Sequence, residues 1–418
     1  MRVRHGADCW DEQGQRNHTT LGRKRTARLM AMLVLFGGLV ACGGSRSPQP
    51  GANAAAAATP AANSQSASNA QGNSQAKSAG ETSQVAAAAA PSAASAPAAE
   101  PVKFDRAAFD EFLAGVRKEA QEKGIKQDVI AQALTGVEPV ARILERDRNQ
   151  AEFKLSFATY RDRVITPANI ERGKRLREQH RELLGQVSQR YGVQPRFILA
   201  IWGIETRYGA VKADVPLFNS LATLAFDRRR SSYFRNELFS ALQMLDRGYI
   251  DYTTLKGSWA GAMGQPQFMP SSYLAYAEDF DGDGRRDIWG NQGDVFASIA
   301  NYLAKHGWSS AQTWGREVTL PAGLQSRLSE FARQGKSGCR AIDGMTEDKP
   351  LTEWARLGVR RTDGGELPKV ALGAALVQPD GAGGPSFLVY ANYRSVLRYN
   401  CAHHYALTVS LLADRIDG

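Results

Sequence analysis

The sequence predicts a mainly α (α+β) protein, and three observations carry that prediction. From Phe104 onward apolar residues recur at three-to-four spacing, the period of helices that bury one face. Between 315 and 389 that period loosens into short apolar pieces divided by glycine-rich turns, the mark of a small mixed α/β subdomain. Ahead of both, residues 43–100 hold a single valine, Val85, and no Leu, Ile or aromatic residue. Such a stretch cannot bury enough apolar surface to offset its ordering entropy, so it is expected to be a disordered linker.

At the N-terminus Arg23, Lys24, Arg25 and Arg28 precede the apolar run 29–40. That run is too short for a permanent membrane span and fits the core of a signal peptide. It closes on Leu39-Val40-Ala41-Cys42, which resembles the bacterial lipobox, in which the cysteine is acylated and becomes the mature N-terminus. Residues 1–42 are thus expected to be a lipoprotein signal with Cys42 as the anchor; an ordinary cleaved signal with an incidental cysteine is the alternative. Gly43 stands where an aspartate would imply inner-membrane retention, so the resemblance implies the periplasmic side of the outer membrane. Residues 1–20 make an unusually long charged region, as a start placed too far upstream would. The 58 residues of linker reach on the order of 40 Å as a flexible coil, letting an anchored domain work away from the membrane.

Of the 52 basic and 42 acidic side chains, 43 and 37 follow residue 100, leaving that part near +6. So mild a balance, without a long basic run, argues against a nucleic-acid partner and suits work near anionic polymers or lipid. Four cysteines are too few for a disulfide-dense miniature scaffold.

Within 101–418 the first helix is marked by Phe109, Phe112, Leu113 and Val116, with Asp105 as its cap and Gly124 as its stop. A long charged helix is expected over 169–191, and further amphipathic helices over 195–208, 231–245, 270–277, 294–306 and 405–415. Strands are expected near 317–320 and 387–390, with turns at Asp363-Gly364-Gly365 and 381–384.

A helix starting near Pro195 places Ile198, Ile201 and Trp202 on the face that also carries Glu205. A carboxylate aimed at a core is disfavoured in its charged form, as a general acid acting on a glycosidic oxygen requires. The same pattern also suits a buried ion pair with Arg207 or another basic residue.

The segments Gly203-Ile204-Glu205-Thr206-Arg207-Tyr208-Gly209 and Gly257-Ser258-Trp259-Ala260-Gly261-Ala262-Met263-Gly264-Gln265-Pro266-Gln267-Phe268-Met269-Pro270-Ser271 resemble the membrane-bound lytic murein transglycosylase B family, in order, from about 104 to 415. The resemblance implies a lysozyme-like helical catalytic core. It implies a single catalytic glutamate, Glu205, that cleaves the MurNAc–GlcNAc β-1,4 bond of peptidoglycan as acid and then base, leaving 1,6-anhydro-MurNAc. An inverting hydrolase would need a second carboxylate. Asp214 and Asp227 are the nearest downstream acids and are read as a loop residue and a helix-end residue. Rival readings are a hydrolytic muramidase and a calcium-stabilised peptidoglycan-binding lipoprotein without activity.

Family substrate contacts fall on Ser258, Gln267, Phe268, Tyr302, Tyr399, Tyr405, Arg229 and Arg230. Aromatic faces suit sugar rings, Gln and Ser suit hydroxyls and acetamides, and arginines suit peptide-stem carboxylates; core packing is the alternative for Phe268 and Tyr302, a solvated basic face for the arginines. Gln265-Pro266 and Ala402 depart from the family pattern. Peptidoglycan strands and, through the lipid anchor, the outer membrane are the implied partners, and cell-wall synthesis or division proteins are left open.

Residues 279–287 offer oxygen ligands at Asp279, Asp281 and Asp283, a carbonyl at Arg285, and glycines that permit a tight loop, which points to structural calcium, with a turn that merely carries solvated charge as the alternative; no organic cofactor is implied. The usual closing glutamate is replaced by Gly290, and Asp294 is the expected substitute. Cys339 and Cys401 could be bridged or remain two free thiols.

Overall fold

The computed structural model describes residues 104–148 and 155–418; the expected signal segment, Cys42 and the linker lie outside them. Helix α1 (Arg106–Glu122) starts where Asp105 accepts a hydrogen bond from the Ala108 amide and closes at Gly124, whose φ of 79° suits only a residue without a side chain. It is followed by α2 (Gln127–Leu134), α3 (Ala141–Arg148), α4 (Phe157–Val164), α5 (Pro167–Gln179), α6 (Arg181–Tyr191) and α7 (Pro195–Thr206). Next come β1 (Val215–Pro216), α8 (Leu217–Phe226), α9 (Ser231–Asp246), β2 (Lys256–Gly257), α10 (Pro270–Tyr276) and α11 (Gln292–Lys305). The chain then runs through β3 (Gly315–Thr319), α12 (Ala322–Gln325), α13 (Arg340–Asp343), β4 (Lys349–Pro350), α14 (Leu351–Arg356), β5 (Arg360–Arg361), β6 (Gly373–Val377) and β7 (Ser386–Val389). Helices α15 (Ala391–Tyr399) and α16 (His403–Asp417) return to the helical core.

The single helix expected over 169–191 is two. His180 breaks it and sets its ring edge-on against Phe296 and Trp202, with centroids 5.4 and 6.2 Å away. The break lets α5 pack on α7 and α16 while α6 packs on α11, which one straight rod could not do. Helix α8 escaped the amphipathic pattern because it is apolar nearly all round. Eight of its ten residues are buried, so it has no polar face to reveal its period.

Two helical cores result. One gathers α6, α7, α11, α15 and α16 around Trp202, Phe296 and Tyr393; the other gathers α1, α2, α8, α9 and α10 around Phe109, Leu221 and Tyr273. Tyr399 packs against both, so it marks their seam.

The strands of 315–389 form an antiparallel sheet in the order β4-β6-β7-β3-β5, with Leu376 opposite Leu388 and Glu317 opposite Phe387. Alternation explains the uninterrupted apolar runs of β6 and β7: Ala375, Val377, Phe387 and Val389 enter the α7 core, while Ala374, Leu376 and Leu388 enter a small core of their own with Trp354 and Val359. A disulfide joins Cys339, at the N-cap of α13, to Cys401 between α15 and α16, with Cα atoms 5.7 Å apart.

Closing 62 residues, the bridge contributes roughly 4 kcal/mol in the chain-entropy model. The variant with Cys339→Ser and Cys401→Ser is therefore expected to unfold at clearly lower urea concentration than the parent, with a steeper slope because its unfolded chain is more expanded. Coincident curves would show that the link constrains nothing in the unfolded chain.

Candidate active site

Glu205 occupies the last turn of α7, after which the chain takes three consecutive left-handed residues: Arg207 (φ 51°), Tyr208 (φ 58°) and Gly209 (φ 74°). For the first two this costs of order 1–2 kcal/mol each and persists only because packing enforces it. The turn folds the buried Tyr208 ring back over α7. A Cβ at position 203 would lie 2.7 Å from that ring, so Gly203 is what admits it. The Tyr208 hydroxyl donates to the Asn169 carbonyl at 3.0 Å, and its ring sits edge-on to Trp202. Thr206 completes the turn by accepting from the Gly209 amide at 3.1 Å. The conformation of Gly203–Gly209 thus leaves Glu205 half-buried at a fixed helix end.

Tyr405, on the first turn of α16, donates to Glu205 Oε1 at 2.6 Å. Its ring stacks with Tyr399, whose hydroxyl donates to the Pro266 carbonyl at 2.7 Å. Burial pushes both phenols well above their usual range, and the nearby Glu205 carboxylate adds to the shift, so both remain neutral donors.

The second segment packs directly beside this turn. Ser258 Oγ accepts from the Ala260 and Ala262 amides at 3.3 and 3.1 Å, and Met263 pairs with Phe268 as a small bridge. Gln267 holds a left-handed backbone (φ 54°) with its amide tied to the Gly264 carbonyl at 2.9 Å. Buried Glu237 on α9 accepts from the Ser271 amide and hydroxyl at 2.9 and 2.7 Å, which pins the start of α10. Phe268 and Tyr302 are 2% and 8% exposed. They turn their rings to each other and to Tyr399, the core packing that was the alternative reading for both. Ser258, Gln267 and Tyr399 keep partial exposure.

Arg229 and Arg230 do not extend freely. Both bind the carboxylate of Asp147 on α3, at 2.7 and 3.3 Å, and Arg229 also binds Asp227 at 2.8 Å. Asp147 has a side chain only 5% exposed, and nothing in its charged local sequence announced the pairing. Asp227 is the C-cap of α8 and Asp214 lies exposed in the loop after α7.

In the acidic loop, carboxylate oxygens of Asp279, Asp281 and Asp294 lie within 4.8 Å of one another. Asp294 is fully buried and accepts from the Phe280 and Asp287 amides at 2.8 and 2.7 Å. Burial raises its pKa to about 6, and the neighbouring Asp281 and Asp279 add to the rise. Two further carboxylates facing so reluctant a one make a three-oxygen cluster that suits a divalent cation. Asp283 falls outside the cluster, accepting from the Arg285 amide, and the Arg285 guanidinium turns to Asp251.

Residue Gln265 was legible only as a departure from a pattern, yet Trp202 Nε1 donates to its Oε1 at 2.7 Å and Thr206 Oγ1 to its carbonyl at 3.1 Å.

Comparisons with known proteins identify the family. Residues 108–414 match the family model described as the transglycosylase SLT domain. The chain is 32% identical over 313 residues to the membrane-bound lytic murein transglycosylase B of Escherichia coli K12, covering 72% of this chain and 80% of that protein. It is similar to SltB3 of Pseudomonas aeruginosa, solved in complex with NAG-anhNAM-pentapeptide, at 40% identity and a TM-score of 0.67, over 74% of this chain and 80% of that one. It is also similar to SLT35 of Escherichia coli, solved in complex with calcium, at 29% identity and a TM-score of 0.61, over 75% of this chain and 93% of that one. Among the described residues no helix is long and apolar enough to cross a membrane.

Tyr405→Phe keeps the ring and removes the hydrogen bond to Glu205. It is expected to slow release of fragments from purified sacculi by about tenfold to a hundredfold, the usual effect of deleting one preorganised donor. Unchanged release by a variant of unaltered melting temperature would remove Tyr405 from the site's working parts.

Proposed function

Because the chain belongs to the transglycosylase SLT domain family, and is a peptidoglycan lytic transglycosylase with a lysozyme-like helical core, we propose that Glu205 alone serves as its acid and base. Protonated Glu205 gives its proton to the glycosidic oxygen between MurNAc and GlcNAc as the C1–O bond breaks. The 2-acetamido oxygen meets the positive charge growing at C1. The C6 hydroxyl of the same muramic residue then attacks C1, and the Glu205 carboxylate takes its proton. The product is 1,6-anhydro-MurNAc, no water is consumed, and Glu205 ends as it began.

The observation that supports this reading best is the pairing of one half-buried carboxylate with a neutral donor, Tyr405 at 2.6 Å, while Asp227 is paired with Arg229. As Glu205 gives up its proton, that phenol stabilises the carboxylate left behind. Ser258, Gln267 and Tyr399 would contact the glycan, with Phe268 and Tyr302 fixing their positions. Arg229 and Arg230, about half exposed beyond their pairing with Asp147, would meet peptide-stem carboxylates. A role in wall remodelling and turnover follows from the bond cut. The anchor at Cys42 and the linker 43–100 would hold this activity on the periplasmic side of the outer membrane.

Calcium belongs to the same reading. Asp279, Asp281 and Asp294 would hold it, and its contribution would be structural, because their loop joins α10 to α11, the helix that carries Tyr302. Removing the ion leaves three carboxylates facing one another. EDTA treatment is expected to lower the melting temperature by several degrees and reduce activity, with both recovered on adding calcium. If neither changes, the loop is an ordinary turn.

Mass spectrometry of sacculi digested by residues 101–418, with borohydride treatment of the products, tests the reaction itself. Expected are muropeptides lighter by one water that resist reduction, and their disappearance in Glu205→Gln while sacculus binding persists. Reducible muramic ends would make the enzyme a muramidase; substantial activity in Glu205→Gln would sink the assignment of the glutamate. Binding without release by the parent chain would favour a wall-binding lipoprotein.

A further inference from the structure

We propose that Gln265 is a positioning residue for catalysis, holding the last turn of α7, and with it Glu205, against the acidic loop that precedes α11. The inference rests on Glu205 being the acid and base.

Each polar group of Gln265 is engaged. Its Oε1 accepts from Trp202 Nε1 at 2.7 Å and from Gln292 Nε2 at 3.3 Å, and its Nε2 donates to the Trp289 carbonyl at 2.8 Å. Its backbone amide donates to the Ile288 carbonyl at 2.8 Å, and its carbonyl accepts from Thr206 Oγ1 at 3.1 Å. Sorted by destination, these bonds run two ways. Trp202 and Thr206 bracket Glu205 on α7, three residues before it and one after. Ile288, Trp289 and Gln292 lie between Asp287 and Asp294, where the acidic loop becomes α11.

The surrounding backbone is shaped to fit this side chain. A Cβ at Gly209 would fall 2.4 Å from Gln265 Oε1, so the left-handed turn after Glu205 closes directly onto the amide. A carboxamide is the group that fits, because the site needs an acceptor toward the indole and a donor toward the Trp289 carbonyl on one planar head. Glutamate would supply only the first and methionine neither. Gln265 touches no reacting atom, so its effect on rate acts through where it keeps Glu205. A misplacement of about 1 Å is enough to cost on the order of a hundredfold in turnover.

The test is a double-mutant cycle of Gln265→Ala and Trp202→Phe, with kcat, KM and the pH dependence of kcat measured on a soluble GlcNAc–MurNAc oligomer carrying peptide stems. Gln265→Ala is expected to lower kcat about thirtyfold to a hundredfold with KM within about twofold. The alkaline limb of the pH profile, which reports loss of the proton on Glu205, should move with it. The double variant should be no slower than Gln265→Ala, since both changes break the same bond. A folded Gln265→Ala enzyme with parental kcat and pH profile would overturn the proposal, and so would losses that simply multiply in the double variant. Should Gln265→Ala fail to fold, Trp202→Phe carries the test alone, and parental kcat there overturns it. Glu205→Gln run alongside separates the two claims: activity in that variant would defeat the assignment of Glu205, whatever Gln265 does.

Discussion

The site depends on one constraint: α7 must stop immediately after Glu205 and turn back on itself through three left-handed residues. Two of these, Arg207 and Tyr208, carry side chains and adopt that backbone at a cost. Burial of Tyr208 across Gly203, its hydroxyl bond to Asn169, and the grip of Thr206 on Gly209 offset it. A helix allowed to continue would carry the following residues away along its axis at about 1.5 Å each, and the contact with the 257–271 segment would be lost. The stop therefore creates the space into which Gln265 is packed.

Antiparallel packing of α7 and α16 supplies the second requirement. It brings the first turn of α16 beside the last turn of α7, so Tyr405, two hundred residues away in the chain, reaches Glu205. At the opposite end of the same pair Arg196 binds Asp414 and Asp417, which clamps the two helices about three turns from the carboxylate. The disulfide between Cys339 and Cys401 lies in the short link between α15 and α16, where Tyr399 and Tyr405 flank it. Through this bridge the start of α13 is tied to the entry of α16.

Aromatic residues divide the labour at the seam of the two cores. Phe268 and Tyr302 are buried among Tyr276, Tyr399 and His306 and give the site a stiff floor, while Tyr399 remains partly exposed above them. Neutral phenols are suited to this place because burial holds their protons on, so they line a carboxylate without competing with it for charge. The acidic loop lies beyond Gln265, joined to it through Ile288 and Trp289.

By itself the sequence determined the helical class, the capped start of α1, the strands around 317 and 387, and the two segments that frame Glu205. These rest on local rules, namely side-chain period, caps and glycines whose backbone other residues adopt only at a cost, and local rules are written in consecutive residues. Tertiary structure alone decided the break at His180, because the ring's partners Trp202 and Phe296 lie in other helices. It decided that Arg229 and Arg230 meet Asp147, that Phe268 and Tyr302 face inward, and that Asp283 stays out of the carboxylate cluster. Likewise, Gln265 could be read only as a deviation, since its meaning lies in an indole sixty-three residues earlier. In each case the side chain has several chemically acceptable partners, and the choice among them is made by which elements the buried apolar surface has already brought together.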